Sequence, residues 1–248
     1  MPYPDLLSLA PHVRSLKGLA IDLDGTLMSG GRLYPDTRHF LDSLDVPFVI
    51  LSNDSEHTTA ELVQVFRRQG IALRADQFIL AGAALIEAFA TTQPGAHVMI
   101  LGSPALQAYA ASQGLVLTEE RPAAVIVMRD PGFNYQRLAA AANAIHQGAR
   151  MIAACPDTSH PGPAGTLVPE AGALAASILA CSGLRSCQVF GKPEPAMFKL
   201  AVQRIGAPPP DCAMIGDNPE TDGAGARRSG MVFHHISRTR SETLERAA

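Results

Sequence analysis

The sequence predicts an α/β protein: a buried parallel sheet with a second α/β unit inserted into it. Three observations carry that prediction. Short apolar runs recur, and each ends abruptly in small polar or acidic residues. Segments of helical periodicity alternate with those runs. One block, residues 80–182, holds enough of both to build a core of its own. Short apolar runs without alternation read as strands covered on both faces, as parallel strands are. The organising stretch is Leu19-Ala20-Ile21-Asp22-Leu23-Asp24-Gly25-Thr26. Asp22 and Asp24 would project from the same face where strand gives way to loop. That end is where open α/β sheets bind ligands. Taken alone, the stretch reads equally as a strand followed by an Asp-Gly turn with solvated acids.

The elements follow in order. Residues 1–17 are a Pro-punctuated lead-in, and 28–34 form a Gly-rich flap or hairpin beside the two acids. Pro35-Asp36 opens a helix with Phe40, Leu41 and Leu44 on one face. Residues 47–51 are the next buried strand, ending at Ser52-Asn53-Asp54-Ser55. Ser55 then caps a helix carrying Leu62, Val65 and Phe66, which closes at Gly70. Within 80–182 the expected helices are 82–91, 103–112, 134–147 and 170–181, and the expected strands 97–101, 123–128 and 150–154. The Pro- and Gly-rich loop 155–165 is long enough to suggest a functional role. A strand at 186–190 then leads to Gly191-Lys192-Pro193, and a helix with Phe198, Val202 and Ile205 follows. A strand at 212–215 ends in Gly216-Asp217-Asn218-Pro219-Glu220-Thr221-Asp222, a strand at 231–234 follows, and a polar helix closes the chain. The expected division is 1–79 and 183–248 for the first unit and 80–182 for the inserted one.

Composition narrows the function. The chain has 248 residues, 47% of them hydrophobic, and a formal net charge of -3. That balance gives no field for nucleic acid or an anionic membrane. No apolar run approaches a membrane span, and no basic-then-apolar leader precedes the fold. The four cysteines are scattered without a C-x-x-C pair, which suits reduced thiols in a cytoplasmic protein.

Asp22-Leu23-Asp24-Gly25-Thr26, Ser52-Asn53, Lys192-Pro193 and Gly216-Asp217 with Asp222 resemble, in order, the four motifs of the haloacid dehalogenase superfamily. Singly, each has an ordinary explanation. Lys192 could be a surface lysine, Asp217 a turn acid, Asp222 a first-turn acid, and Ser52-Asn53 helix caps. All four together, each at a strand end, are much harder to explain that way. The resemblance implies a Rossmann-like parallel-sheet core with an inserted α/β cap domain. The cap resembles that of the type II branch, which contains ribonucleotide monophosphatases, phosphoglycolate phosphatases and p-nitrophenyl phosphatases. The segment from Asp130 to Leu138, Cys155-Pro156-Asp157 and Gly172-Ala173-Leu174 carry that part of the likeness.

The resemblance further implies a Mg²⁺-dependent phosphatase that hydrolyses a small phosphate monoester through an aspartyl-phosphate. Asp22 resembles the nucleophile and Asp24 the general acid–base. Lys192 supplies positive charge, and the Ser52 hydroxyl and Asn53 backbone N–H hold phosphoryl oxygens. The metal ligands would be Asp22, the Asp24 backbone carbonyl and Asp217. Asp222 would orient Lys192 or a metal-bound water. In the cap, Arg129 and His160 are the expected substrate contacts, with Asp157 beside them. A homodimer through the cap is a further expectation. Competing readings are a phosphomutase or dehalogenase of the same superfamily, or a catalytically silent phosphometabolite-binding protein. Departures from the branch include Asp54 as an extra acid, Glu170 where a Gly-rich turn is usual, and His234-His235 after the fourth motif.

Overall fold

The computed structural model describes residues 3–162 and 166–238. In chain order the elements begin with α1 (Leu6–Val13), β1 (Gly18–Ile21), the hairpin β2 (Met28–Ser29) and β3 (Arg32–Leu33), α2 (Thr37–Asp42) and β4 (Phe48–Ser52). They continue with α3 (Thr59–Arg68), β5 (Phe78–Leu80), α4 (Ala81–Thr92), β6 (His97–Leu101), α5 (Pro104–Ser112) and β7 (Val116–Leu117). Next come β8 (Ala124–Val127), α6 (Tyr135–His146), β9 (Arg150–Ala153), β10 (Ser159–Pro161), β11 (Leu167–Pro169) and α7 (Ala171–Ser182). Last are β12 (Gln188–Val189), α8 (Pro195–Ile205), β13 (Cys212–Gly216), α9 (Ala224–Arg228) and β14 (Val232–His235).

Two five-stranded sheets, both wholly parallel, organise these elements. The first has the order β14-β13-β1-β4-β5. The chain runs outward from β1 through β4 to β5, then returns to the other side of β1 as β13. The order therefore reverses beside β1, where an open sheet leaves a crevice at its carboxyl edge. Leu19, Ala20 and Ile21 are completely buried, as a central strand requires.

The second sheet has the order β12-β9-β8-β6-β7. Its strands divide their side chains by alternation. Val98, Ile100, Ala124 and Ile126 join the apolar cluster that also fills the first sheet, together with Ala84, Phe89 and Leu106 of α4 and α5. Met99, Leu101, Val125 and Val127 face the other way, onto Ala141, Ile145, Ala175 and Ile178 of α6 and α7. One continuous core thus links the inserted unit to the first, and a second core backs it.

Four expectations change. The strand near 186–190 belongs to the second sheet: Gln188 and Val189 pair with Ile152 and Ala153 of β9. The inserted unit therefore runs beyond the expected boundary at 182. Leu80 is likewise a residue of the first sheet, paired with Ser52. Ser55 does not cap α3. That role falls to Thr58, in a reciprocal capping box with Glu61, while Ser55 Oγ accepts from Arg129 N–H at 3.0 Å. The loop 155–165 also contributes β10, which pairs antiparallel with β11. The expected C-terminal polar helix falls mainly outside the described residues. Among the described residues, no helix is long and apolar enough to cross a membrane.

α8 and α9 pack so closely that a Cβ on Gly225 would fall inside the Phe198 ring, itself fully buried. Gly225→Ala should cost about 1–3 kcal/mol by overpacking. The expected result is a lower denaturant midpoint with an unchanged slope; an unshifted midpoint would show that the two helices separate freely.

Candidate active site

Loops following β1, β4, β12 and β13 converge at the crevice beside β1. Asp22 lies one residue beyond β1, and its N–H still bonds to Ile215 O at 2.8 Å, so the sheet fixes its backbone. Its Oδ1 accepts from Lys192 Nζ at 2.6 Å, and its Oδ2 from Thr26 Oγ1 at 3.2 Å. Lys192 Nζ also donates to Asp222 Oδ1 at 2.7 Å. The Lys192 side chain is only 3% exposed and that of Asp222 only 1%. An ammonium enclosed this far keeps its charge only with carboxylates against it. Burial pulls Lys192 down, but Asp22 and Asp222 outweigh it and hold the ammonium above its ordinary value.

Asp222 sits in a π-helical turn, Pro219–Gly223, whose start is tied by Asn218 Oδ1 accepting from the Glu220 N–H at 2.9 Å. Such turns recur at functional sites. The Asn218 N–H also donates to Asp222 Oδ2 at 3.2 Å. Asp217 reaches the first loop through Gly25, which takes φ +82°; a Cβ there would collide with the Asp217 carboxylate. That backbone conformation and that close approach both require glycine.

Asp22, Asp217 and Asp222 each offer a carboxylate oxygen within 4.8 Å of the others. Burial, then the nearby Asp22 charge, pushes Asp217 up to about 7 despite Lys192. Burial likewise raises Asp222 to about 7, with Lys192 opposing and Asp22 reinforcing. An all-oxygen donor set carrying more negative charge than one lysine offsets fits a hard divalent cation. Asp24, just beyond β1, remains exposed to water although protein crowds around it. Desolvation, then Asp54 and Asp22, lifts its carboxyl to about 7, against Lys192. A carboxyl poised there can both give and take a proton near neutrality.

At the second motif, Ser52 Oγ is buried and accepts from Asp54 N–H at 3.0 Å. The Asn53 side chain ties three segments together. Its Oδ1 accepts from Lys192 N–H at 2.7 Å, and its Nδ2 donates to Lys192 O at 3.1 Å and to Asp157 Oδ2 at 2.8 Å. Asp54 accepts from the N–H groups of Glu56 and His57 at 2.9 and 2.8 Å and faces His57 Nδ1 at 2.7 Å. The two cap residues expected to contact substrate both have acidic partners. Arg129 is paired with Glu56, and His160 Nδ1 lies 2.6 Å from Glu170 Oε1.

Sequence reasoning missed Thr26, Glu56 and Arg238. Thr26 could have been found from its place inside the first motif. Arg238 carries no sequence signal, yet its guanidinium is nearly enclosed, at 6% exposure. Its Nη2 and Nε donate to Thr26 O at 2.6 and 3.2 Å, and its Nη1 to Asp36 Oδ2 at 2.8 Å. It also lies over the Tyr34 ring, 4.3 Å from the centroid. Arg238 thus clamps the loop carrying both Asp22 and Asp24 to the base of the β2–β3 flap.

Residues 16–230 match the family model for haloacid dehalogenase-like hydrolases. Among curated proteins, an acid sugar phosphatase of Staphylococcus aureus is 30% identical over 237 residues, covering 94% of this chain and 90% of that one. A 4-nitrophenylphosphatase structure from Thermotoga maritima superposes with a TM-score of 0.84 at 28% identity, covering 94% of this chain and 91% of its own. A glycerol phosphate phosphatase of Mycobacterium tuberculosis, solved with magnesium, gives 0.81 at 28% identity over 89% of this chain and 67% of that one. In the calcium complex of the same protein the match spans 66% of its length, just under two thirds.

Two outcomes follow from the contacts around the site. Arg238→Ala should lower kcat by about ten- to hundredfold through misplacement of the first loop, with Arg238→Lys intermediate. Steady-state kinetics beside a melting curve check this, and an unchanged kcat would mean the clamp is idle. The hydrogen bond to Asp54 raises His57 from 6.5 to about 9. A raised histidine stabilises the fold fully below its unfolded value and loses that contribution as pH rises through its folded one. The stability gap between wild type and His57→Ala should therefore close between pH 6.5 and about 9 in denaturant titrations.

Proposed function

The chain belongs to the haloacid dehalogenase-like hydrolase family and is a phosphoric monoester hydrolase; within that class we propose that it removes the phosphoryl group from a small phosphorylated metabolite by way of Asp22. One observation carries this reading: Lys192 Nζ bridges Asp22 and Asp222 at 2.6 and 2.7 Å, with the Asp217 carboxylate in the same cluster. That arrangement holds the Asp22 carboxylate in place with positive charge against one oxygen, which is what a carboxylate nucleophile needs.

Asp22 attacks phosphorus and becomes an aspartyl-phosphate. Asp24, near pH 7 in its balance, protonates the departing alkoxide and then takes a proton from the water that hydrolyses the intermediate. The Ser52 hydroxyl and the Asn53 backbone N–H stabilise phosphoryl oxygens as charge develops, and Lys192 adds its charge to theirs. Asp22, the Asp24 carbonyl and Asp217 would hold Mg²⁺, with Asp222 placing Lys192 beside it. A divalent cation held there would supply charge neutralisation for the phosphoryl group. The named substrates of the relatives, a sugar phosphate, glycerol phosphate and an aryl phosphate, make a small ester with a hydroxylic leaving group the first class to assay.

Asp22→Asn should abolish turnover in a protein that still melts cooperatively, and measurable steady-state release of phosphate by a deamidation-free sample would exclude the nucleophile assignment. For Asp24→Asn the loss should be about 10²–10⁴-fold with alkyl esters and much smaller with aryl phosphates, whose leaving groups need little protonation. An equal loss across that series would assign Asp24 a structural part only. Chelation should silence the enzyme, and Mg²⁺ should restore it.

A further inference from the structure

The backbone of Lys192 ends a ladder that begins in the inserted unit. Past β12, the Phe190 N–H donates to Ala153 O at 3.1 Å and the Gly191 N–H to Ala154 O at 2.7 Å. The next rung changes unit. The Lys192 N–H donates to Asn53 Oδ1, one residue beyond β4 of the first sheet, at 2.7 Å. Asn53 Nδ2 donates back to Lys192 O at 3.1 Å and, with its second hydrogen, to Asp157 Oδ2 at 2.8 Å. Gly191 makes room for this amide, since a Cβ there would collide with Asn53 Oδ1 and with Ala154 O. Asp157 is held in turn by the start of α7. The Gly172 N–H donates to Asp157 O at 2.8 Å, and a Cβ on Gly172 would strike that carbonyl.

The pattern fixes which way round the carboxamide lies. Turned over, its NH₂ would face the Lys192 N–H and its oxygen would face two acceptors. A carboxylate holds an N–H more strongly than a neutral oxygen does, so Asp157 is the firmest of the amide's anchors. At the far end of the lysine, Nζ must reach Asp22 and Asp222 at 2.6 and 2.7 Å. A lysine stem is flexible, and an ammonium placed that closely needs its backbone fixed as well. We propose that Asp157 is a positioning residue: it anchors the Asn53 carboxamide, which sets the Lys192 backbone and so the ammonium beside Asp22. The sequence groups Asp157 with the substrate contacts, whereas its carboxylate is engaged by Asn53. This rests on the phosphatase reading above and adds to it a link from the inserted unit to the lysine. Such a role is the same for every ester, since Lys192 serves the phosphoryl group that all of them share.

Kinetics with glycerol 3-phosphate and 4-nitrophenyl phosphate, beside melting curves, test it. Asp157→Ala should lower kcat/KM by about tenfold with both esters and leave their ratio unchanged. Asp157→Asn keeps a carbonyl oxygen for the Asn53 amide and should recover most of that loss. Asn53→Ala should cost about a hundredfold, and the double variant should match it, because the path from Asp157 is already cut. A ratio that changes in Asp157→Ala would make Asp157 a leaving-group contact and overturn the proposal. Losses that multiply in the double variant, or full activity of Asp157→Ala, would overturn it too. If Asp157→Ala does not melt cooperatively, Asp157→Ser is read by the same ratio and the same pairing with Asn53→Ala. A wild type that releases phosphate from neither ester would instead overturn the phosphatase reading, and this proposal with it.

Discussion

The structure depends on the burial of one ammonium between two carboxylates. Lys192 has almost no contact with water, and it bridges Asp22 after β1 to Asp222 beyond β13. Removing any one of the three would strand a charge in a low-dielectric site, which is far more costly than losing an exposed ion pair. The requirement reaches outward. Lys192 is placed by Asn53, which grips both its N–H and its carbonyl. Asp222 is placed by a π-helical turn, and Asp22 by the ladder between β1 and β13. Sheet order, turn chemistry and the site are thus one arrangement: β1 must lie beside β13 for the triad to close.

The two units are not cleanly separate. The inserted unit shares its apolar core with the first sheet. Its polar edge meets the site through Asp157 on Asn53 and Arg129 on Glu56. Asn53 therefore links Lys192 of the buried ion triad to the loop bearing Asp157. Movement of the cap would be felt at Lys192 through a single amide side chain.

Much of this was legible in the sequence, for a physical reason. Residues that do chemistry at strand ends leave a local mark, an apolar run stopped by acids, and Asp22, Ser52 and Asp217 all lie at or just beyond such ends. Lys192 was legible as part of a turn, but not the sheet its strand joins: Gln188 and Val189 pair with β9, and pairing partners leave no local trace. Ser55 looked like a cap because capping residues and buried hydroxyls share a composition; only the Arg129 N–H waiting for it settles the difference. Arg129 and His160 were visible as polar residues in loops and Glu170 as a departure from the branch, but which acid each would pair with was not, since Glu56 lies far from Arg129 in sequence. Arg238 was invisible altogether, since a guanidinium donating to a backbone carbonyl 212 positions earlier depends wholly on tertiary geometry.

That last contact has a consequence for how the protein comes into being. During synthesis Asp22 and Asp24 emerge early, and the contiguous span from α4 to β12 can form its own parallel sheet while the ribosome is still working. The first sheet cannot close until β13 arrives, and the loop bearing Asp22 and Asp24 is not fastened until Arg238 follows. Every nascent intermediate before that point carries Asp22 without at least one of Lys192, Asp222 and Arg238. The complete site thus assembles only late in synthesis, and a break between α8 and β13 would part Asp22 and Lys192 from Asp222, leaving two fragments whose reunion could be read as regained turnover.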